Sequence, residues 1–530
     1  MVRLSCTGLS MKNSWFGFLV IAVAMLLTVT GNASQPVKIA LGGEPETLDP
    51  HLYNLRLEET VLNDLFMGLT TFNAAGDIVP GVATHWETSA DGLTWTFYLD
   101  KNARWSDGAP LTAADFVFAY RRLQNPQTAA SLAYFMYMLK NAAAVNSGQL
   151  QPDALGVRAV DPHTLELALE KPYPFLLERL LYPTAFPVPE HMVREHGADW
   201  VKAANWVSNG AYMLAEWTPQ AHIKLNANPH FSRQPAIQAV VYQRVTNEQS
   251  AYNRFRNGEL DVIGSFPVGE LAKLLADGSP SLRQSDQLSM MYLVFNTESG
   301  QLADVRVRQA LSLAVDQEIL TGKVLRSGNV AQHAFTPSQL SGYQGVALPH
   351  AQQTYDARIE SARTLLTEAG FTPSNPLKIT LRHIGVIENK KVNLAIAGMW
   401  RRIGVVTQLQ QTDIRGHFAD LRQGNFEVAW AGWVGENNAE HYLSLLMSDI
   451  GSVNYGRFAN ETYDALMRQA QNQADTQSRN ALLKAAEEVA LHYYPVVPLY
   501  SNSIRRLVNP ALKGWVENPR DMHHSRFLSW

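Results

Sequence analysis

The chain has 530 residues, of which 46% are hydrophobic and 17% are charged. This length exceeds what one hydrophobic core can serve, so two or three domains are expected. The charged fraction lies below the roughly 25% usual for soluble proteins, but no segment has the composition of a disordered region and no repeat of solenoid period is present.

The first 33 residues have the order of a secretory signal peptide, with basic residues, an apolar stretch and small residues in turn: Arg3 and Lys12, then 15–27, then 28–33. The apolar stretch is shorter than the roughly 18 residues that a membrane span needs. We therefore expect export to the periplasm and cleavage near Ala33, with either Met1 or Met11 as the start.

Cys6 is the only cysteine, and it lies in the segment expected to be removed. The mature chain would then have no disulfide, no thiolate nucleophile and no cysteine at the cleavage site to carry a lipid. Removing two of the 44 basic residues leaves a net charge of −6 against the 48 acidic residues. That sign argues against nucleic acid or an anionic membrane as the partner.

Hydrophobic periodicity predicts a mixed α/β chain, with the clearest strand–helix alternation in its last 230 residues or so. Strands are predicted at 37–41, 94–99, 164–169, 209–214, 223–225, 239–243, 378–382, 426–434 and 496–500. Helices are predicted at 58–70, from Ala113 onwards, and at 304–315, 357–369, 392–402, 461–473 and 479–493. Thr112 and Asp115 form a variant of the capping box at the start of the second helix.

The segment 426–444 is the candidate binding element. Its apolar run at 428–434 has the length of one buried strand, and Glu436 follows where the strand ends. Gly432 and Gly435 leave backbone uncovered, so that another chain could approach. Such a strand edge can hold an extended peptide while the acid binds its ammonium group. The alternative is an ordinary core strand followed by a solvated glutamate.

Six further blocks of sequence, in order along the chain, resemble the periplasmic oligopeptide-binding proteins, the extracytoplasmic solute-binding family 5 receptors of ABC importers. They cover 81–116, 208–212, 253–261, 304–311, 431–433 and 495–500, with Trp105-Ser106-Asp107-Gly108-Ala109-Pro110 in the first. The resemblance extends from about residue 40 to the C-terminus.

The resemblance implies a two-lobed periplasmic-binding-protein fold, the Venus flytrap, with an extra inserted domain. Lobe I would combine 36–66, 190–288 and 505–530, the inserted domain would be 67–189, and lobe II would be 289–504. The chain crossings near 288 and 504 would form a hinge, and ligand would favour the closed form because only that form contacts it from both lobes.

The resemblance also implies the binding residues. Glu436 stands where the family has an aspartate for the peptide ammonium, and the strand residues Gly432, Val434 and Gly435 would supply backbone hydrogen bonds. Trp433 would form the wall of a side-chain pocket, with Trp430 and Asn438 nearby. For both tryptophans, ordinary core packing is the alternative.

Several positions depart from the family pattern and predict a ligand range that differs from that of generic oligopeptide receptors. Trp430 replaces an arginine, Asn389 replaces a histidine that can meet a peptide C-terminus, and Leu132 and Asn502 replace two cleft tyrosines. Asn54 and Arg56 stand opposite, where the family has an acid and an apolar residue. Arg56 would contact a ligand carboxylate or lie at the rim.

The resemblance therefore predicts a monomeric receptor for a peptide or peptide-like ligand that serves an inner-membrane ABC permease, with no cofactor, no metal and no catalytic residue. A metal chelate, haem or a sugar is the alternative ligand, because members of the family bind these too. A periplasmic peptidase, or a chaperone that holds unfolded segments in the same cleft, is a further alternative.

The residues that could indicate an enzyme match the known catalytic motifs poorly. His191 and His196 would lie about 140° apart on a helix, so that with Glu195 they miss zinc-protease spacing by one residue. Val82 follows Gly81 where a phosphate-binding loop needs lysine, and no Gly-x-Ser-x-Gly is present. His523 and His524 are more typical of surface than of a metal site.

Overall fold

The computed structural model describes residues 35–530, so the predicted signal peptide lies outside the described residues. Within 35–530 no helix is long and apolar enough to cross a membrane. The same residues contain no cluster of three or more histidine, cysteine or acidic side chains with the arrangement of a metal site. His191 hydrogen-bonds to Asp107 at 2.8 Å.

The strands, in chain order, are β1 (Val37–Leu41), β2 (Thr70–Phe72), β3 (Ile78–Pro80), β4 (Ala83–Thr88), β5 (Thr94–Leu99), β6 (Val157–Asp161), β7 (Thr164–Ala168), β8 (Tyr212–Thr218), β9 (His222–Ala227), β10 (Ala239–Arg244), β11 (Val262–Ile263), β12 (Leu282–Asp286), β13 (Ser289–Phe295), β14 (Val330–Ala331), β15 (Lys378–Ile384), β16 (Val406–Thr412), β17 (Val428–Val434), β18 (Val496–Ser501) and β19 (Ser503–Val508).

The α-helices are α1 (Arg56–Leu65), α2 (Ala113–Gln124), α3 (Ala142–Asn146), α4 (Leu176–Arg179), α5 (Glu190–His196), α6 (Glu248–Arg256), α7 (Val268–Ala276), α8 (Val305–Leu313), α9 (Gln317–Ile319), α10 (Tyr355–Glu368), α11 (Ile387–Arg401), α12 (Ile414–Gln423), α13 (Ala439–Leu443), α14 (Glu461–Gln471) and α15 (Thr476–His492).

Two large mixed sheets form the two lobes, which confirms the predicted fold class. The first sheet has the order β12-β19-β11-β1-β10-β9-β8, and the second has the order β14-β18-β13-β17-β15-β16. The inserted domain adds a four-stranded sheet, β4-β5-β7-β6, and the hairpin β2-β3. Its core is continuous with that of lobe I, because residues of both belong to one buried cluster.

The chain passes between the two sheets twice, at 287–288 and at Asn502. The two crossings lie side by side, since Gln287 N–H donates to the Asn502 carbonyl at 2.9 Å and Asn502 N–H donates to Ser289 Oγ at 3.0 Å. The second crossing comes two residues before the expected position, because β19 already pairs with β12 from Ser503 onwards.

Strand β13 explains why lobe II has two cores. Met291, Leu293 and Phe295 point to one face of the sheet, and Met290, Tyr292 and Val294 point to the other. A strand that is covered on both faces typically has a continuous apolar sequence. All seven residues of β13 are buried.

The capping box predicted at Thr112 and Asp115 is confirmed, because the Thr112 N–H donates to Asp115 Oδ2 at 2.7 Å. Among the boundaries that differ from the prediction, two share one reason. The Asn209 side chain bonds the backbone N–H and carbonyl of Met67 at 3.1 and 2.8 Å. This tertiary contact draws the chain away from helical geometry, so α1 ends at Leu65 and β8 begins only at Tyr212.

Arg308 on α8 fixes the end of α15 against the second sheet. Its guanidinium donates to the carbonyls of Tyr493 at 2.8 Å, Leu302 at 2.6 Å and Ala303 at 3.0 Å, and the residue is buried. Buried carbonyls that lose their donors each carry a desolvation penalty of roughly 1–3 kcal/mol.

We predict that Arg308→Met lowers the free energy of unfolding by about 3 kcal/mol, measured by urea titration followed by circular dichroism. Arg306→Met is the matched control two residues away, because Arg306 is half exposed and its side chain contacts Asp304 and the Glu368 carbonyl. Its loss should cost less than about 1 kcal/mol. Equal effects of the two substitutions would contradict the role given to Arg308.

Candidate functional site

A cavity of about 420 Å³ lies where the two lobes and the inserted domain meet. Its lining comes from all three parts of the chain: Arg56, Glu59 and Arg520 from lobe I, Phe135, Glu178 and Tyr182 from the inserted domain, and Val434, Gly435 and Glu436 from lobe II. This volume lies within the range of sites for small ligands. The cavity therefore touches the C-terminal end of β17, the strand singled out from the sequence.

Strand β17 has neighbours on both sides only at its start. It pairs with β13 along its whole length, from Phe295 opposite Val428 to Ser289 opposite Val434. Its parallel pairing with β15 is limited to Val428 and Ala429. Beyond Ala429, β15 and β17 diverge and leave one edge of β17 without a strand partner among the described residues.

Two hydrogen bonds identify the backbone groups on this free edge. Gly435 N–H donates to the Leu288 carbonyl on the β13 side at 2.9 Å, whereas the Trp430 carbonyl is contacted by His417 Nε2 from the opposite side at 2.8 Å. Alternate residues of an antiparallel strand direct their N–H and C=O groups to the same side. The backbone groups of Gly432 and Val434 therefore point to the free edge, where residues 35–530 offer them no partner.

The two glycines are required by packing within the chain itself. A Cβ at Gly432 would lie 2.5 Å from the Met291 sulfur, and one at Gly435 would lie 2.6 Å from the Tyr442 ring. The space beside these backbones is thus filled by the protein's own side chains. A ligand chain could therefore approach β17 along its free hydrogen-bonding edge, but not over the faces of the strand at the two glycines.

Glu436 is 4% exposed, and its Oε1 forms an ion pair with Arg179 Nη1 at 2.9 Å. Burial raises the pKa of this carboxyl, an effect that the charge of Arg179 opposes and that of Glu178 reinforces. No hydrogen-bond donor within residues 35–530 reaches its second oxygen, Oε2. The charge of Glu436 is thus balanced by Arg179, while its Oε2 remains free to accept a hydrogen bond at the cavity.

Arg179 ends α4 in the inserted domain, so its pair with Glu436 joins that domain to lobe II. Its guanidinium lies 4.8 Å from the centre of the Phe135 ring and 3.3 Å from the Tyr173 hydroxyl. A second contact joins the same two parts, because the Arg479 guanidinium of lobe II lies 4.7 Å from the Phe175 ring. The segment 173–179 of the inserted domain therefore lies against lobe II.

Four ion pairs surround the cavity and balance its charge. Besides Arg179 with Glu436, they are Arg520 with Glu178, Arg506 with Asp521 at 2.6 Å, and Arg56 with Glu59 at 3.3 Å. Both terminal nitrogens of Arg520 donate hydrogen bonds to Glu178, and the distance from Nη2 to Oε2 is 2.7 Å. The Arg56 pair is the longest of the four, and the Arg56 side chain is 52% exposed.

Comparison with known proteins identifies the family. Residues 77–452 match the family described as bacterial extracellular solute-binding proteins, family 5. The chain belongs to this family. The chain is 37% identical to the periplasmic murein peptide-binding protein MppA of Escherichia coli, over 92% of this chain and 91% of that protein. It is 33% identical to the probable deoxycholate-binding periplasmic protein YgiS of the same organism, over 92% and 91%.

A solved structure of the unliganded open form of MppA superposes on this solute-binding protein with a TM-score of 0.86, covering 94% of this chain and 97% of that one at 37% identity.

The remaining residues predicted to bind ligand are dispersed around this solute-binding protein's cleft. Asn438 caps α13 by accepting from Glu440 N–H at 2.9 Å, and Asn502 forms the second hinge crossing. Asn389 is buried on α11, and Leu132 is half-buried against the core of the inserted domain. These four positions are not part of the cavity lining.

The two tryptophans, Asn54 and Arg56 are the other residues that were predicted to bind ligand. Trp430 is 8% exposed within one core of lobe II, and Trp433 packs against the other, so the core-packing alternative describes where both rings lie. Asn54 hydrogen-bonds to Ser131 of the inserted domain. Arg56 lines the cavity and already contacts the carbonyls of Arg520 and Asp521 in addition to Glu59.

Sequence reasoning missed Glu59, Glu178, Arg179 and Arg520. Each lies in an ordinary helical or loop context, and no motif sets it apart. The only signal was an acid and an arginine side by side at 178–179, which is common on helix surfaces.

We predict that Arg179→Met raises the pKa of Glu436 further, because burial and the nearby Glu178 remain while the opposing positive charge is lost. The pKa can be measured by carbon-13 NMR of glutamate-labelled protein, with the Glu436 signal assigned from its disappearance in Glu436→Gln. Arg194→Met, on an exposed side chain of α5, is the control and should leave this pKa unchanged. An unchanged pKa in Arg179→Met would mean that the ion pair does not persist in solution.

Proposed function

We propose that this protein is a periplasmic receptor that captures peptides with a free amino terminus between its lobes and delivers them to an inner-membrane ABC permease. The observation that carries the proposal is the juxtaposition of a free strand edge with the Glu436 carboxylate at its end. An extended peptide can add to such an edge through the N–H and C=O groups of Gly432 and Val434. Its ammonium would then bind the free oxygen of Glu436.

The ion pair with Arg179 affects how an ammonium group binds. Because Oε1 is engaged and Oε2 is free, an ammonium can add to Glu436 without removing Arg179. A buried carboxylate with one partner retains acceptor positions that a second donor can fill. The ligand would therefore complete the hydrogen bonding of a carboxylate that the protein already holds in place.

The hinge supplies the accompanying motion. The adjacent crossings at 287–288 and Asn502 connect the lobes, and few residues there need to change their backbone angles. A ligand that contacts both lobes binds the closed form more tightly and shifts the population towards it. We infer that the protein acts as a monomer, since both walls of the cavity come from one chain.

The names of the relatives support a peptide as the ligand, but one of them suggests a different class of ligand. One relative of similar coverage is named for murein peptides and another, as probable, for deoxycholate. Deoxycholate carries an anionic carboxylate and no amine, so it has no positively charged group to pair with Glu436. The acid at the strand end therefore favours the peptide, and calorimetry with both ligand classes tests the choice.

We predict that tri- to pentapeptides bind and that their N-acetylated versions bind roughly tenfold to hundredfold more weakly, because a charge-assisted hydrogen bond is lost. Isothermal calorimetry measures both, and mass spectrometry of the recovered ligand should find the peptide intact. Glu436→Gln should remove most of the difference, whereas Glu461→Gln, an exposed acid of the same lobe, should retain it. Tight binding of deoxycholate with no binding of peptides would overturn the peptide assignment.

The pH dependence of binding follows from the raised pKa of Glu436. As the pH falls through that pKa the carboxyl gains a proton and loses its charge, while the peptide ammonium stays protonated because its own pKa lies near 8. Affinity for free-amine peptides should therefore decrease with falling pH in the wild type and stay nearly flat in Glu436→Gln. An increase in affinity on acidification would exclude Glu436 as the ammonium contact.

A further inference from the structure

Glu59 of lobe I is a second carboxylate in the same cavity. It is 5% exposed, and it lines the cavity together with the lobe II residues Val434, Gly435 and Glu436. Its Oε2 accepts from Arg56 Nη1 at 3.3 Å, but its Oε1 is buried and has no hydrogen-bond partner among residues 35–530. Buried polar atoms are nearly always paired, so an orphaned carboxylate oxygen at a cavity points to a missing donor.

The ion pair that Glu59 forms with Arg56 is weak. Arg56 is half exposed to solvent, and its guanidinium also donates to the carbonyls of Arg520 and Asp521. The other three acids of the cavity have closer partners, at 2.9 Å or less. Burial raises the pKa of Glu59, which the charge of Arg56 only partly opposes. Glu59 is thus the least compensated acid facing the cavity.

We propose that Glu59 is the subsite for a second positively charged group of the ligand, so that the preferred peptides carry an amine in a side chain as well as at the amino terminus. This inference rests on the proposed function, because it assumes that a peptide lies in the cavity with its terminus at Glu436. The two carboxylates belong to different lobes, Glu59 to lobe I and Glu436 to lobe II. A ligand with two amines would therefore bind both lobes through charge, and the second contact would favour closure.

Rotation about the last side-chain bond of Glu59 exchanges its two oxygens, so the ligand can donate to either one while Arg56 keeps the other. A neutral side chain of the same length would fill the same space but leave Oε1 unpaired. The subsite therefore predicts discrimination between side chains that differ only in the terminal amine.

The experiment uses the full mature chain and trialanine in which each alanine in turn is replaced by lysine or by norleucine, which has the carbon chain of lysine without the amine. Calorimetry should give at least about tenfold tighter binding of the lysine peptide at one of the three positions, as expected for a charge-assisted hydrogen bond. Glu59→Gln should reduce that preference to near onefold and leave the affinity of the norleucine peptide within about twofold. Glu195→Gln, an exposed acid on α5, is the control and should keep the full preference.

Arg56→Met provides a test in the opposite direction. It removes the charged partner that Glu59 has within the described part of the chain, so the preference for lysine over norleucine should grow several-fold. If Glu59→Gln fails to fold, as judged by its thermal unfolding, this variant decides, and an unchanged or smaller preference overturns the subsite.

Three outcomes separate this inference from the function on which it rests. Equal binding of lysine and norleucine peptides at every position, with acetylation of the amino terminus still weakening binding, overturns the Glu59 subsite alone. A lysine preference that persists in Glu59→Gln also overturns it, because another acid must then supply the contact. Absence of binding by any of the peptides overturns the proposed function itself.

Discussion

The divergence of β15 from β17 after Ala429 is the constraint on which the candidate site depends. A strand in the middle of a sheet normally has both edges satisfied, and unpaired backbone groups away from water are costly. Here β17 has two neighbours at its start and one at its end, so the N–H and C=O groups of Gly432 and Val434 need either solvent or a ligand. The sheet stays intact because β13 pairs with the whole length of β17.

The charges around the cavity serve a second purpose besides ligand binding. The pair of Arg179 with Glu436 joins the inserted domain to lobe II, and the pair of Arg520 with Glu178 joins the C-terminal segment of lobe I to the inserted domain. Together they run from lobe I to lobe II through the neighbouring residues 178 and 179. Buried ion pairs contribute little to stability on balance, since desolvation offsets their attraction. Their effect is rather to fix the directions in which the acids point.

The same arrangement explains how binding and lobe motion can be coupled. The inserted domain shares its core with lobe I, whereas its contacts with lobe II include the ion pair and cation–π contact of the segment 173–179. We propose that lobe I and the inserted domain move as one body about the crossings at 287–288 and Asn502. In that motion Glu59 would move with this body and Glu436 with lobe II, so that the distance between the two acids would change.

The sequence by itself determined the local structure and the position of one important acid. Alternating and continuous apolar runs predicted the strands, the capping residues at Thr112 located α2, and Glu436 was identified because it directly follows an apolar strand. The resemblance of ordered sequence blocks predicted the two-lobed fold. These features depend on residues near one another in the chain, and local patterns record them directly.

The tertiary structure alone decided what surrounds that acid. Arg179 lies in another domain, and Glu59 lies in the first helix of lobe I, so no spacing in the sequence could join either of them to Glu436. The end of α1 at Leu65 was likewise set by Asn209, far along the chain. Charged side chains interact through space with whatever the fold brings near, and burial alters their pKa values only after folding, which is why sequence patterns do not record these contacts.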